Sequence, residues 1–333
     1  MASTVIQAFN EFLANTVNLR KEDTQTARSS RDWLVDQIAG FPDKVDKFPR
    51  IYNEKITFFG SFARRTKKRP LDDVDIMICL SAEGSTYYEG LTTISIDVAS
   101  NAERLKSLCN TDSNTLNSIR VVNKFVSALK TVPQYRSAET KRNQEAAILQ
   151  LNSYDWNFDI VPCFFTSPDS TGKSYYLIPD GSGGWKKTDP RIDQERTSRI
   201  NQANDGNVLN IIRVIKYWNK RPTMPSASSY LLETMILNYY ESKSGKASQF
   251  VDIEIPSILE YIWLNITNDV QDPKGIQGNI NHLTDEERSK ISTRAWRDKN
   301  KAEEARSFER NNEYSRSIKK WAEVFGDDFP SYE

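Results

Sequence analysis

Phe59-Gly60-Ser61-Phe62-Ala63-Arg64-Arg65-Thr66, followed by Asp72-Asp73-Val74-Asp75-Ile76-Met77, is the stretch whose reading decides the fold. The β-branched and aromatic run Ile56-Thr57-Phe58-Phe59 stops at Gly60 and reads as a strand. A Gly-Ser turn and a short helix follow, and Val74 to Leu80 reads as a second strand, entered through two carboxylates one residue apart. Side chains alternate along a strand, so Asp73 and Asp75 share one side while Val74, Ile76 and Ile78 point to the core. Two residues of strand rise set the carboxylates ~7 Å apart, a spacing from which they can converge on a hard divalent cation such as Mg²⁺. The Gly60-Ser61 turn offers backbone N–H groups and a hydroxyl to a phosphate. Asp-x-Asp alone is common at solvated strand ends, and Gly-Ser alone is usually just a turn. Together, at this spacing, they set a triphosphate binder beside a metal binder.

A third carboxylate strengthens the pattern. Asp159 lies in the apolar strand Trp156-Asn157-Phe158-Asp159-Ile160-Val161-Pro162. A charge there is costly unless it is paired or ligates a metal. Three carboxylates and two metal ions are what in-line phosphoryl transfer requires, one ion for the attacking oxygen and one for the leaving group.

Composition narrows the chemistry. The chain has 333 residues, room for about two domains. Its 45 Lys+Arg balance 45 Asp+Glu, which argues against a protein that grips nucleic acid along its whole surface. The three cysteines are odd in number and scattered, so they form no disulfide framework. His282 is the one histidine, which argues against a Ser-His-Asp triad or a histidine-built zinc site. Any chemistry must run on carboxylates, Lys/Arg, hydroxyls or a hard metal ion. Asn10, Glu11, Asn15 and Asn18 interrupt the apolar pattern of the first twenty residues, and no run approaches ~18 apolar residues. The expectation is a cytoplasmic protein with no membrane partner.

Residues 4–20 and 27–38 carry helical apolar spacing. Residues 118–129 are helical again, whereas 146–151, 156–165 and 175–178 have strand character. Beyond the Pro179-Asp180-Gly181 turn the chain is mostly helical, and Thr284 with Glu287 forms a capping box opening a long charged helix. This order predicts an α+β fold: a lobe with a mixed sheet over residues 1–190, N-terminal helix included, and a helical lobe over 191–333, with the active site in the cleft between them.

The sequence resembles the polymerase-β-type nucleotidyltransferases, marked by a Gly-Ser turn, a following Asp-x-Asp and a distant third Asp. Within them it resembles the bacterial cGAS/DncV-like nucleotidyltransferases (CD-NTases), through Leu177-Ile178-Pro179-Asp180, Trp185, Asp189-Pro190, Lys216-Tyr217-Trp218-Asn219 and Ser229-Tyr230-Leu231. The resemblance covers nearly the whole chain. It implies a template-independent, pyrophosphate-releasing enzyme that joins ATP and other NTPs into a cyclic oligonucleotide signal in anti-phage defence. By position it makes Asp73, Asp75 and Asp159 the metal-binding triad for two Mg²⁺ ions, with Mn²⁺ as a substitute, and Asp159 an aid to deprotonating the attacking hydroxyl. It further implies that Gly60 and Ser61 hold the β- and γ-phosphates, that Lys216 and Ser229 reach the triphosphate tail, and that Tyr230 stacks on a nucleobase. The doubled Asp72-Asp73 departs from the pattern; spacing favours Asp73 as the partner of Asp75, with a swap of roles left open.

Other readings compete. An RNA-tailing or CCA-type polymerase shares the same metal site but calls for an extended basic surface, and a catalytically silent module would not need all three carboxylates. Without the resemblance, Lys216 and Lys220 read as surface lysines. The basic run Arg64, Arg65, Lys67, Lys68 and Arg69 reads equally as a solvated loop or as an attractor of triphosphates or an oligonucleotide. Trp185, Trp218, Trp263, Trp296 and Trp321 read as core or interface. No zinc-type Cys/His cluster is present, so no double-stranded DNA activator is expected. Relatives in some defence systems are attached through their C-terminal residue by ubiquitin-like conjugation machinery. Pro330 suggests an extended, accessible end at Phe329-Pro330-Ser331-Tyr332-Glu333, a frayed terminus being the plainer reading.

Overall fold

The computed structural model describes residues 2–222 and 225–333. Its contacts divide the chain into two units. The strand unit comprises Lys21–Ala63 and Leu71–Arg191; the helical unit comprises the chain up to Arg20, the segment Arg64–Pro70, and Ile192–Glu333.

The strand unit is built on β1 (Thr57–Phe59), β2 (Asp73–Cys79), β3 (Thr86–Glu89), β4 (Ile94–Asp97), β5 (Glu139–Asn143), β6 (Ala146–Gln150), β7 (Asn157–Phe165), β8 (Tyr176–Pro179) and β9 (Trp185–Thr188). They form one mixed sheet in the order β1-β2-β7-β8-β9-β4-β3, with β6 also on β7 and β5 on β6. β2 and β7 run parallel, residue for residue from Asp73↔Asn157 to Cys79↔Cys163; every other named pair is antiparallel. β2 alternates half-buried and buried for its first four residues and is wholly buried thereafter, as a central strand should be. The helix Ser118–Leu129, capped by Asn117 accepting from Arg120 N, buries Val121, Val122, Phe125 and Leu129 and lies against β5 and β6. Trp185 is fully buried and donates to the Leu116 carbonyl. The sequence reading does not anticipate β3 to β5 or β9: β3 and β5 are largely exposed, and β4 and β9 are only four residues long.

The helical unit packs Pro190–Ala203 (from Ile192), Val208–Asn219, Ser229–Ser242, Val251–Asn265, Asp285–Arg310 and Tyr314–Phe325 around one core. The capping box of Thr284 and Glu287 is formed. The N-terminal helix is a point of difference from the sequence reading: Val5–Phe12, continued as a π-helical turn at Leu13–Val17, belongs with these helices rather than with the strands. The cause is aromatic. Phe9 meets Trp321 and Phe329 with ring centroids 5.0 and 5.1 Å apart, and Phe12 meets Tyr217 at 5.0 Å. Trp218 and Trp321 are fully buried, as expected of core residues, whereas Trp296 is 45% exposed. The chain end is exposed at Ser331 to Glu333 but tied down rather than frayed: Ala2 N donates to the Ser331 carbonyl and Glu333 N to the Ala2 carbonyl, while Phe329 is buried. No helix among the described residues is long and apolar enough to cross a membrane.

Candidate active site

β1, β2 and β7 lie side by side, and their register assembles the carboxylates. Asp75 sits opposite Phe59 on one flank and opposite Asp159 on the other. Neighbouring strands lie about 4.8 Å apart, and paired residues share a face. Asp73, Asp75 and Asp159 therefore stand on one face of the sheet, together with Asn157, the register partner of Asp73. All three carboxylate residues are half-buried. Asn157 donates from Nδ2 to Asp159 Oδ1 at 2.7 Å and so fixes the direction of that carboxylate. Asp72 falls one residue before the strand and is exposed; its carbonyl accepts from Asn157 N.

Gly60 closes the end of this face. Its φ is +70°, and a Cβ placed on it would lie 1.8 Å from Asp75 Oδ2. Only glycine tolerates both the left-handed backbone and that approach. The turn leads into the helical residues Gly60–Ala63, with Ser61 half-buried in second place.

The donor set is all oxygen, carboxylate with one amide neighbour, which suits a hard cation of the Mg²⁺ class and no soft metal. Among the described residues no three acidic, His or Cys side chains are gathered tightly enough to enclose an ion. The backbone register sets Asp73, Asp75 and Asp159 on one face of the sheet without drawing their carboxylates into one cluster.

In the helical unit Lys216 and Tyr230 each belong to a polar network, and the two are linked through Arg64, whose guanidinium lies 5.8 Å from the centre of the Tyr230 ring. Lys216, read from the sequence alone as a surface lysine, is only 4% exposed. Its ammonium donates to Glu233 Oε1 at 2.7 Å and to the Thr66 carbonyl at 3.0 Å. Arg64 donates from Nε to Glu233 Oε2 at 3.0 Å, and its Nη2 stands 3.0 Å from the same oxygen. Two cations thus share one buried carboxylate, and Asp193 is near enough to add its negative field to that of Glu233 on Arg64. The titration tendencies follow. Burial would raise the Glu233 carboxyl, but Arg64 and Lys216 outweigh it and hold the group below the usual carboxylate range. Burial lowers Lys216, with Arg64 and Lys67 repelling it further, and Glu233 does not make up the difference.

The basic run is accordingly split: Arg64 is inside, Arg69 is tied to the Ala14 and Asn15 carbonyls, and Arg65 is exposed. Glu233 escaped the sequence reading although it carries the cue that singled out Asp159. It is a carboxylate within an apolar run, Leu231-Leu232-Glu233-Thr234-Met235-Ile236.

Ser229 opens its helix as the first residue after the cap, the capping oxygen being that of Ser228, which accepts from Leu231 N. Tyr230 follows, half-buried, its hydroxyl 2.8 Å from Asp193 Oδ1 and 3.0 Å from Asp272 Oδ1. Burial and these two carboxylates push its phenol far above the ordinary tyrosine range, so the hydroxyl keeps its proton.

No protein-family model matches the chain. A curated relative, a probable cyclic nucleotide synthase of Bacillus cereus strain VD146, is 47% identical over 337 aligned positions spanning the whole of both chains. Among solved structures, CdnC of Escherichia coli MS115-1 with ATP superposes with a TM-score of 0.71 at 14% identity, covering 98% of each chain. Vibrio cholerae DncV superposes with a TM-score of 0.69 at 13% identity, covering 98% of this chain and 96% of that one. At such identities the structural likeness speaks for the fold.

Proposed function

The chain belongs to the bacterial cyclic nucleotide synthases of the CD-NTase family, and from that premise we propose how its residues divide the work of a nucleotidyltransferase. The proposal rests above all on the register pair Asp75↔Asp159, with Gly60 turned onto Asp75.

Asp73, Asp75 and Asp159 would hold two Mg²⁺ ions, or Mn²⁺ in their place. Bound there, such ions neutralise the phosphates and acidify the attacking hydroxyl. In each step a ribose hydroxyl attacks an α-phosphorus, that of a second NTP in chain growth and that of the linear intermediate's own 5′ triphosphate in ring closure, and pyrophosphate leaves. Asp159, oriented by Asn157, accepts the hydroxyl proton. The Gly60-Ser61 turn presents its N–H groups and the Ser61 hydroxyl to the β- and γ-phosphates. Lys216 and Ser229 take the triphosphate tail. The physical support for Lys216 is its burial beside Arg64, where the two cations share Glu233 and repel one another, a repulsion that an arriving anion relieves. Tyr230 stacks on a nucleobase. ATP is the first substrate to try, since the solved CdnC complex holds ATP and one DncV complex holds a GTP analogue.

Incubating the purified protein with labelled NTPs and Mg²⁺, without RNA, tests the proposal. A phosphatase-resistant cyclic product that disappears with EDTA supports it. Incorporation only into added RNA would instead indicate the tailing reading, and absence of any turnover would point to a silent module.

The biological setting we propose is anti-phage signalling, with no DNA activator. Encoding beside an effector nuclease, phospholipase or membrane protein supports that setting. Conjugation through the C-terminal residue by ubiquitin-like machinery is the partner reading for the exposed Ser331–Glu333 segment. Co-expression with such machinery should give adducts that are lost on deleting Glu333.

A further inference from the structure

The Tyr230 hydroxyl is met by three charged side chains that the proposed chemistry leaves unused. Asp193 Oδ1 and Asp272 Oδ1 lie at 2.8 and 3.0 Å, and the Lys274 ammonium donates to the same hydroxyl oxygen. Lys274 also lies 2.9 Å from Asp272 Oδ1 and 3.4 Å from Asp193 Oδ2, and 4.2 Å from the centre of the Tyr230 ring. The side chains of Lys274 and Asp272 are 4% and 0% exposed. Asp272 is itself fixed, because its carboxylate accepts from the backbone N–H groups of Lys274, Ile276 and Gln277.

A phenol has one proton to donate and here faces two carboxylates, while a lysine supplies the oxygen with a donor. The three contacts converge on the one hydroxyl and hold that end of the ring from three side chains. A tyrosine kept only to fill space needs none of them, and burying three charges around one hydroxyl is expensive. A ring that must present its face to a planar ligand at one angle does need them, because stacking falls off with tilt and offset.

We propose that Asp193, Asp272 and Lys274 are positioning residues that lock Tyr230 as a rigid platform for the nucleobase of the substrate NTP. The proposal rests on the reading of Tyr230 as a base-stacking residue. The lock acts on binding: it spares the incoming base the cost of ordering the ring, so its loss raises KM and leaves kcat nearly unchanged.

The test uses 2′,3′-dideoxy-2-aminopurine triphosphate, a fluorescent nucleotide that lacks both attacking hydroxyls and loses emission when its base is stacked. With the full chain and Mg²⁺, wild type should quench it on binding and Tyr230→Ala should not. Tyr230→Phe keeps the ring but deletes the hydroxyl; it should bind about tenfold more weakly with partial quenching. The conservative Lys274→Arg, which keeps the donor, should retain more quenching than Lys274→Met, and it stands in for Tyr230→Phe should that variant fail to fold. Wild-type binding and quenching by Tyr230→Phe, or equal behaviour of the two Lys274 variants, would overturn the lock while leaving stacking intact. Unchanged quenching in Tyr230→Ala would overturn the stacking reading itself.

Discussion

Gly60 and Asp75 approach so closely that a single methyl group on the glycine would overlap the carboxylate, with 1.8 Å to Oδ2 and 2.6 Å to Cγ. The Gly-Ser turn and the Asp-x-Asp strand are thus fitted to each other rather than merely adjacent. Gly60→Ala must displace Asp75 and also hold a left-handed backbone, a strain of roughly 1–3 kcal/mol. We expect a folded protein with a lower melting temperature and product formation reduced at least a hundredfold. Near-normal turnover in a radiolabelled NTP assay would refute the fit.

Asp73→Asn with Asp75→Asn keeps the shape of both side chains and removes two negative charges from the face that β2 shares with Asp159. The far-ultraviolet circular dichroism spectrum should be that of wild type, and cyclic product should be undetectable. Asp159→Asn should behave alike, and Mn²⁺ should rescue neither variant. Activity in the well-folded double variant would remove these residues from the chemistry.

Glu233→Gln leaves Arg64 and Lys216 buried without their common counterion. Removing one member of a buried ion cluster costs about 3–5 kcal/mol, to be read from urea unfolding at pH 7. The pH dependence has a definite sign. The folded-state carboxyl sits below its unfolded value, so its stabilisation is complete above about pH 5 and fades as pH falls through the folded pKa. The stability gap between wild type and Glu233→Gln should therefore be widest near neutrality and shrink below about pH 4. A gap that grows on acidification would contradict the assignment.

Lys216→Ala should raise KM for NTP by roughly tenfold or more, the loss of a charge-assisted contact of about 1.5–3 kcal/mol. Its kcat should fall far less than that of Asp75→Asn, because the contact is made in ground state and transition state alike. Arg64 remains to neutralise Glu233, so the fold should survive. Steady-state kinetics at two salt concentrations check both points, with the gap to wild type narrowing at the higher salt.

The two motifs were legible because each is local. Gly60-Ser61 is a turn and Asp73-Val74-Asp75 lies on one strand, so spacing alone oriented them. Asp159 was legible as a charge out of place in an apolar run, but its pairing with Asp75 depends on a parallel register across more than eighty residues of chain, which no local pattern encodes. Lys216 was misread without the family resemblance, because its counterion Glu233 comes from another helix. Asp193 and Asp272 left no trace as a pair, since an isolated Asp at a helix start or in a turn has an ordinary local explanation. The N-terminal helix was recognised as amphipathic, but what its apolar stripe would cover could not be read from the stripe itself.

That helix carries a consequence for how the chain is made. The strand unit is complete once Arg191 has been synthesised, whereas the helical unit draws on both the opening residues and the closing ones. Phe9 and Phe12 are synthesised more than three hundred residues before their partners Trp321, Phe325 and Phe329. Throughout that interval this aromatic stripe is an uncovered, sticky surface, of the kind that chaperones hold and that aggregation exploits. The last helix is thus the closing clasp of the molecule, and a nascent chain halted before it would carry an exposed greasy end however well its sheet had folded.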